Sequence, residues 1–481
     1  MHSKEAAGCR LCRYRRVQEK RPDRDCLNGE VTVYLTLTFV LFVSLILALV
    51  ESASVQMAKN YRRADMNRAL ECVFAEYQKE LLENYDVFAI ECGYETGTYT
   101  EQNILDRLSY YGADMENEIE RIQLFTDNSG ELFRDQVGKY MKHKYGIAWA
   151  DKYLGNVSLW KNQEEKADEF TEEEEKQNDQ LKDLLGEQEA ELPEEENPMQ
   201  HVAELKRSSI LELVLPKDKT ISEKQISLQE MPEKRENHTG YGAFSDVEPE
   251  DGTLTSVLLG EYVIDHFTDF TDGPKGGELD YELEYILEGH ASDRENMETV
   301  ASKLLMVRFV PDYAYIQTDP EKKAEAEAAA LTLCTVIGLP ELAEGAAQGI
   351  LLAWAYGEAI MDIRTLVSGG KVPLVKNAED WKLSLSGLMQ LGSAGENVAA
   401  DSGKDMESGL AYREYLRMLL FLKSQDEVGM RTLDMVEQNL KIRYGQTFFR
   451  ADACISRVEF HSTCNLRRGI MYDFPTYFGY N

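Results

Sequence analysis

A run of twenty uncharged, mostly apolar residues, Val31 to Val50, constrains this chain more than any other feature of its sequence. Glu30 and Glu51 bound the run. At about 1.5 Å per residue, a helix of this length spans about 30 Å, the thickness of the hydrocarbon core of a bilayer. The run is about twice as long as the apolar core of a signal peptide. Small residues follow it at positions 52–54, which leaves cleavage as the alternative, but the length predicts a retained transmembrane helix.

The charge on the two sides of this run predicts how it lies in the membrane. Residues 1–30 carry eight Lys/Arg and five Asp/Glu, a net charge of +3, whereas the whole chain of 481 residues has a net charge of −34. The remainder therefore carries −37. A basic flank before the span predicts a cytoplasmic N-terminus and an extracytoplasmic body. The acidic body also argues against nucleic-acid binding, which needs a basic face.

Helical periodicity continues beyond the apolar run. Apolar residues recur at steps of three and four, which places them on one stripe of a helix: Met66, Leu70, Val73, Phe74, Tyr77, Leu81 and Leu82. Neither Pro nor Gly occurs from residue 30 to residue 92. The pattern predicts one helix from Val31 to about Tyr85, half in lipid and half packed on the body. A kinked or broken pair of helices is the alternative.

Changes in composition divide the chain into parts. Sixteen acids and three lysines fall within residues 164–196, which is typical of a solvated helix or a spacer. We therefore predict five parts: a basic cytoplasmic tail (1–30), a transmembrane helix (31–50), the N-terminal part of the extracytoplasmic domain (51–161), an acidic linker or insert (162–253) and a helical C-terminal part (254–481). The predicted fold is mainly α with a small β element, an α+β fold.

Local signals place several elements of the C-terminal part. Ser292 and Glu295 form a capping box that opens a helix, and Pro320 after Asp319 opens the next one, which ends at Gly338. The apolar stretch that follows contains Glu358 and other acids, so we interpret it as a buried helix and not as a second span. The sequence "ACISRVEFHSTCNL" near the C-terminus alternates with period two, which predicts one or two strands.

Motifs that carry chemistry are scarce. The sequence contains no HExxH, Walker loop, GxSxG or GxGxxG motif, and no two of its histidines are three or four residues apart. We therefore predict no catalytic residue, no cofactor and no metal ligand. Cys454 and Cys464 lie ten residues apart and are candidates for a local disulfide, and Cys72 with Cys92 is a second candidate pair.

Several segments together resemble an uncharacterised family of bacterial membrane-anchored proteins that accompany tight-adherence (Tad) pilus and type II/IV secretion genes in Gram-positive anaerobes. The segments are "GEVTVYLTLTFVLFVSLILALVESASVQ", "NRALECVFAEYQKELLENYDVFAIE", "LELVLPKDKTISEKQISL", "LDYELEYILEGHASDRENMETVASKLL" and "ILLAWAYGEAIMDIRTLVSGGKVPLVKNAEDWKLSL". The resemblance covers most of residues 28–465. It implies a single-pass anchor with a large extracytoplasmic domain of the pseudopilin-like or pilus-assembly kind.

The resemblance also implies a candidate processing site. In pilin-like subunits a glycine just before the apolar run marks cleavage by a prepilin peptidase, and Gly29 and Glu30 occupy that place here. The chain departs from the usual pattern, because Tyr34 stands at the fifth position after the glycine, where those subunits carry Glu.

These observations lead to one functional hypothesis and two alternatives. We expect a non-enzymatic, membrane-anchored structural or assembly component of a Tad-like pilus or type II/IV secretion apparatus. Its expected partners are the membrane, proteins of that apparatus, and further copies or other subunits bound through the N-terminal helix. An extracytoplasmic cell-envelope enzyme with an unrecognised active site and a ligand-binding surface protein are the alternatives.

Overall fold

A computed structural model of the chain describes residues 24–94, 96–146, 196–217, 219–244, 252–392 and 409–480, with isolated positions between 160 and 193. Within these ranges the chain is mainly helical with a few antiparallel strands, which confirms the predicted fold class. Nearly all of the basic tail and most of the acidic run at 164–196 lie outside the described residues.

The elements are numbered here in chain order. The helices are α1 (Arg24–Phe74), α2 (Lys79–Tyr85), α3 (Gln102–Tyr110), α4 (Asp127–Tyr145), α5 (Pro198–Leu205), α6 (Ile210–Val214), α7 (Gly252–His266), α8 (Glu282–Glu288), α9 (Asp293–Ile316), α10 (Pro320–Val336), α11 (Ala343–Val367), α12 (Leu385–Leu388), α13 (Tyr412–Leu422) and α14 (Gln425–Ile442). The strands are β1 (Ile90–Glu91), β2 (Glu116–Leu124), β3 (Lys371–Val372), β4 (Leu410–Ala411), β5 (Cys454–Asn465) and β6 (Met471–Gly479).

Helix α1 is continuous through the apolar run and the first part of the amphipathic stripe, as predicted. It ends at Phe74, so the prediction that it reaches Tyr85 is wrong. The chain turns at residues 75–78, where the backbone N–H of Gln78 donates to the carbonyl of Ala89 (2.9 Å). This turn sends α2 in a new direction, and Leu81 then lies in a different core from Met66.

The main core is built by helices packed around α11, which contacts α5, α6, α9 and α10. Nearly the whole of α11 is buried, which agrees with the prediction of a buried helix. The indole N–H of Trp354 on this helix donates to the carbonyl of Leu383 (2.8 Å). A Cβ at Gly357 would overlap Leu383 and Leu388, so this glycine is required for the close approach of α12.

The capping signals are confirmed at the starts of two helices. The hydroxyl of Ser292 accepts a hydrogen bond from the backbone N–H of Glu295 (3.2 Å) at the start of α9. The carboxylate of Asp319 accepts from the backbone N–H groups of Glu321 (3.0 Å) and Lys322 (3.2 Å), which caps α10.

The second half of the predicted acidic linker or insert (162–253) contains packed helices. Helices α5 and α6 lie within it, and their apolar side chains, including Val202 and Leu211, are part of the main core. Helices α2 and α4 of the N-terminal part also contribute to that core. The predicted N- and C-terminal parts therefore share one core, because apolar residues around the acidic run pack together across it.

A four-stranded antiparallel sheet forms the small β element. Strand β5 is central. Strand β2 pairs with one edge of β5, and strands β1 and β6 both pair with its other edge, at different positions along β5. The sequence predicts a strand at β5 correctly but does not predict β2. Pro475 lies within β6, where it is tolerated because β6 is an edge strand.

Candidate functional site: the helix–sheet unit beside the apolar run

Helix α1 has two successive segments in opposite environments, one exposed and one buried. Its apolar side chains from Val31 to Val50 are exposed, with Phe39 68% accessible, whereas Met66, Leu70 and Val73 are fully buried. The stretch from Gly29 to Phe74 is long and apolar enough to cross a membrane, and its most apolar window has a mean hydropathy of 2.7 with no residue buried. An exposed apolar surface of this size needs a cover of lipid or protein.

The buried end of α1 belongs to a second core, separate from the main one. Helix α3 and the four-stranded sheet supply its other side chains, among them Ile104, Leu124 and Phe460. Phe74 at the end of α1 stacks on Phe478 of β6 with 4.1 Å between ring centroids. We call α1 from residue 51 onward, α3 and this sheet the helix–sheet unit.

Strand β6 lies alongside α1 and runs in the same direction. The ammonium of Lys59 lies 4.6 Å from the ring centroid of Tyr472, and the hydroxyl of Tyr480 donates to the carbonyl of Phe74. At the other end the guanidinium of Arg468, just before β6, lies 3.1 Å from the carboxylate of Glu51. Residues that come later in α1 therefore contact residues that come later in β6.

The rises of the two elements agree. The 15 residues from Lys59 to Phe74 rise about 22 Å in a helix. The 6 residues from Tyr472 to Phe478 span about 20 Å in an extended strand. Strand β6 thus accompanies α1 from Lys59 to Phe74, and the turn before β6 reaches Glu51 at the end of the apolar run.

The predicted processing residues lie near the start of α1. Gly29 and Glu30 are exposed and helical, and no side chain of the described residues lies within 4 Å of the place that a Cβ on Gly29 would take. Tyr34 is exposed one turn further on. Processing at Gly29 stays a prediction.

The predicted disulfide between Cys454 and Cys464 is wrong. Both residues belong to β5, and ten residues of strand separate them by about 33 Å, whereas a disulfide needs Cα atoms within about 7 Å. Cys72 and Cys92 are free thiols as well. Burial raises the pKa of Cys92 to about 12. A spacing of ten residues suits a hairpin staple only when a turn lies between the cysteines, and here the strand runs straight through.

The main core contains a network of buried charges that the sequence interpretation missed. The guanidinium of Arg308 on α9 donates to Asp362 on α11 (Nε–Oδ2, 2.9 Å) and lies 3.3 Å from Asp312. The ammonium of Lys376 contacts Glu358 (2.5 Å) and Asp362 (2.8 Å). These five side chains are fully buried.

The pKa values of two acids in this network are shifted in opposite directions. Burial raises the pKa of Asp312 well above its usual range. Burial also disfavours the charged form of Asp362, but the charges of Lys376 and Arg308 outweigh it and hold the pKa of that carboxyl below its usual value. A signal for the network does exist in the sequence: α9 and α11 each carry two charges four residues apart, Arg308 with Asp312 and Glu358 with Asp362.

Two more buried acids have raised pKa values. Burial and the neighbouring Asp269 raise the pKa of Glu284 on α8 to about 8, although its Oε1 accepts from the N–H of Phe270 (3.0 Å) and the hydroxyl of Tyr412 (2.8 Å). Burial raises the pKa of Asp434 on α14 to about 7. Both carboxyls act inside the main core as acceptors that tie a loop to a helix.

The state of Glu284 predicts a dependence of stability on pH. Its pKa is 4.5 when unperturbed and about 8 in the folded chain, so the folded state holds the extra proton between these values. The stabilisation is complete below pH 4.5 and is lost as the pH rises through 8, with a slope of at most about 1.4 kcal/mol per pH unit. We expect Glu284→Gln, which needs no proton, to remove this part of the slope in denaturant titrations of the full-length chain between pH 5 and 8.

The matched control is Glu83→Gln on α2, where the carboxylate is more than half exposed. This variant should keep the pH dependence of the unchanged chain. An unchanged slope in Glu284→Gln would show that Glu284 is already ionised in the folded state.

A pocket of about 570 Å³ lies between the end of β2, the start of α4 and the loop at 237–244. Asp127, one of the two acids that line it, accepts hydrogen bonds from the backbone N–H groups of Leu124 (2.7 Å) and Gly240 (3.0 Å). Burial raises the pKa of Asp127. His238 at the rim stacks on Tyr99 with 4.7 Å between ring centroids. These contacts fasten the loop to the sheet.

Within the described ranges, no group of three or more His, Cys, Asp or Glu side chains is arranged to hold a metal ion. The candidate functional feature is the exposed apolar run of α1, which is continuous with the helix–sheet unit.

Comparison with known proteins gives one match. A family model described as a family of unknown function (DUF5702) matches residues 188–466, more than half of the chain. The match begins before α5 and ends after β5, so α1 and strands β1, β2 and β6 lie outside it. No curated protein and no solved structure matches the chain.

Proposed function

The chain belongs to DUF5702, a family of unknown function, and from that premise we propose that it is a non-enzymatic, membrane-anchored structural or assembly component of a Tad-like pilus or type II/IV secretion apparatus. In this proposal α1 is both the anchor and the surface that meets other subunits. The N-terminus is cytoplasmic, and the helix–sheet unit and helical body are extracytoplasmic.

One observation carries the proposal. Helix α1 is a single helix of 51 residues, exposed and apolar from Val31 to Val50 and buried against an antiparallel sheet at its end. Pilin-like subunits have the same division of a long N-terminal helix into an anchor and a packing spine. The resemblance of the sequence to proteins encoded beside Tad and secretion genes supports the same assignment.

Charge supports the proposed orientation. The tail before the span has a net charge of +3 and the rest of the chain −37, as the positive-inside rule favours. The size of the body fits a minor, tip or platform component better than a major subunit, since a body of this size would keep apolar helices far apart in a filament.

A replacement of the apolar run tests the proposal. In a strain that builds the apparatus and lacks this gene, the full-length chain is expected to restore surface filaments and secretion. A chain whose residues 31–50 are exchanged for an unrelated twenty-residue apolar span should still enter the membrane, because length and apolarity suffice for that. It should leave filaments and secretion at the level of the deletion strain, because the helix surface that meets other subunits is gone.

Two controls complete this experiment. Membrane fractionation of the exchanged chain separates loss of anchoring from loss of assembly. A second variant, Val336→Ala, changes an exposed residue at the end of α10, outside the helix–sheet unit, and should restore both functions fully. Unchanged filaments and secretion in the deletion strain would overturn the proposal.

A further inference from the structure

The tip of the β5–β6 hairpin, residues 466–471, combines basic and apolar side chains on an exposed surface. Its sequence is "LRRGIM". The side chain of Arg468 is 75% exposed, Ile470 is 37% exposed and Met471 is 65% exposed. Arg468 and Gly469 have left-handed backbone conformations (φ 63° and 73°), which close the turn tightly and project these side chains outward.

The tip lies at the level where the apolar run of α1 ends. The guanidinium of Arg468 lies 3.1 Å from the carboxylate of Glu51, which directly follows Val50. The agreement of the helix and strand rises shows that this is not an isolated contact, because β6 accompanies α1 from Lys59 to Phe74. If the run from Val31 to Val50 fills the hydrocarbon core, the tip lies at the depth of the lipid headgroups on the side of the body.

The chemistry of the tip matches this depth. Arginine forms paired hydrogen bonds with phosphate oxygens and keeps its charge at all relevant pH values. Apolar side chains beside basic ones are typical of elements that lie in the membrane interface. The acidic body as a whole would be repelled by a lipid surface of negative charge, so the two adjacent arginines of the tip are a local exception to its charge.

We propose that the hairpin tip is a second membrane contact, which docks on the phospholipid surface of the leaflet facing the body. Arg467 and Arg468 bind the phosphate groups of the lipids, and Ile470 and Met471 enter the interface. This contact holds the helix–sheet unit at a fixed height and orientation over the bilayer. The inference rests on the proposed function only in requiring that α1 is anchored in the membrane.

Fluorescence quenching by lipid tests the contact. The full-length chain carrying Ile470→Trp is reconstituted in vesicles whose lipids carry bromine near the headgroup end of the acyl chains. The introduced indole is expected to be quenched relative to vesicles of unbrominated lipid. Tyr477→Trp, an exposed position higher on the same strand, is the matched control and should not be quenched.

Charge is tested in the same system. Adding phosphatidylglycerol to phosphatidylcholine vesicles should increase the quenching, and raising the salt concentration should reverse the increase, because salt screens the attraction. In a chain that also carries R467Q and R468Q, the ratio of docked to undocked tips in anionic vesicles should fall by about fivefold for each arginine.

Flotation separates failure of this inference from failure of the proposed function. A chain that does not float with the vesicles is not anchored by α1, and both proposals fall. A chain that floats while Ile470→Trp is quenched no more than Tyr477→Trp keeps its anchor and loses the tip contact, so only this inference is overturned.

Discussion

Replacement of Arg308 by methionine is expected to lower the free energy of unfolding by about 3–5 kcal/mol, the usual cost of removing one partner from a buried ion pair. Methionine fills much of the volume of the arginine but takes a charge and its donors away from Asp362, Asp312 and the hydroxyl of Tyr415. Asp362 is then left with less compensation in the middle of the main core. Denaturant titration of the full-length chain measures the loss.

A double variant makes the prediction specific to charge. In Arg308→Met with Asp362→Leu both members of the pair are removed, and Lys376 keeps its contacts with Glu358 and Asp312. The double variant should therefore lose less stability than the sum of the two single variants, by about 0.5–3 kcal/mol. Additive losses would mean that the pair contributes packing alone.

An exposed ion pair supplies the control for this experiment. Arg68 on α1 pairs with Asp65 three residues earlier, and the side chain of Arg68 is 62% exposed. Arg68→Met should change the free energy of unfolding by less than about 1 kcal/mol, because water already solvates both charges.

Replacement of Phe460 by alanine is expected to cost a similar amount, about 3–5 kcal/mol, by leaving a cavity in the second core. Phe460 is fully buried in the middle of β5, between Ile119 of β2 and Thr476 of β6. The loss should be concentrated in the helix–sheet unit, so that backbone amides from Met66 to Phe74 exchange hydrogen faster while those of α11 keep their protection.

The control for Phe460 lies on the neighbouring strand. Met471→Ala removes an exposed side chain at the start of β6 and should alter stability by less than about 0.5 kcal/mol. If Phe460→Ala is equally mild, the end of α1 is held by contacts outside the second core.

The sequence predicts the elements that local chemistry determines. The continuity of α1 from Val31 to Phe74 follows from an apolar run and an amphipathic stripe without Pro or Gly. The starts of α9 and α10 follow from Ser292 and Asp319, whose side chains satisfy the first free N–H groups of the helix. Each of these signals is complete within a few residues, so no knowledge of distant packing is needed.

Features that depend on distant partners were not predicted. The end of α1 at Phe74 is determined by the hydrogen bond from Gln78 to Ala89 and by the burial of Leu81 in the other core, and neither appears in the helical period. Strand β2 has charged residues at most of its exposed positions, and it exists because β5, more than 300 residues later, pairs with it.

Only part of the candidate site was predicted, because the rest of it also depends on residues far away in the sequence. The apolar run identifies the exposed half of α1, but the accompanying hairpin depends on residues at the opposite end of the chain. The disulfide between Cys454 and Cys464 failed because spacing alone does not distinguish a hairpin from one long strand.

The common direction of α1 and β6 has a mechanical consequence. A force that draws the apolar half of α1 along its axis reaches the body through the buried side chains from Met66 to Phe74 and loads the sheet parallel to its strands. In that geometry the hydrogen bonds between β5 and β6 share the load in shear, whereas a force across the strands would break them one after another. We therefore expect the fold to resist a force directed along the axis of α1 better than a force directed across the strands.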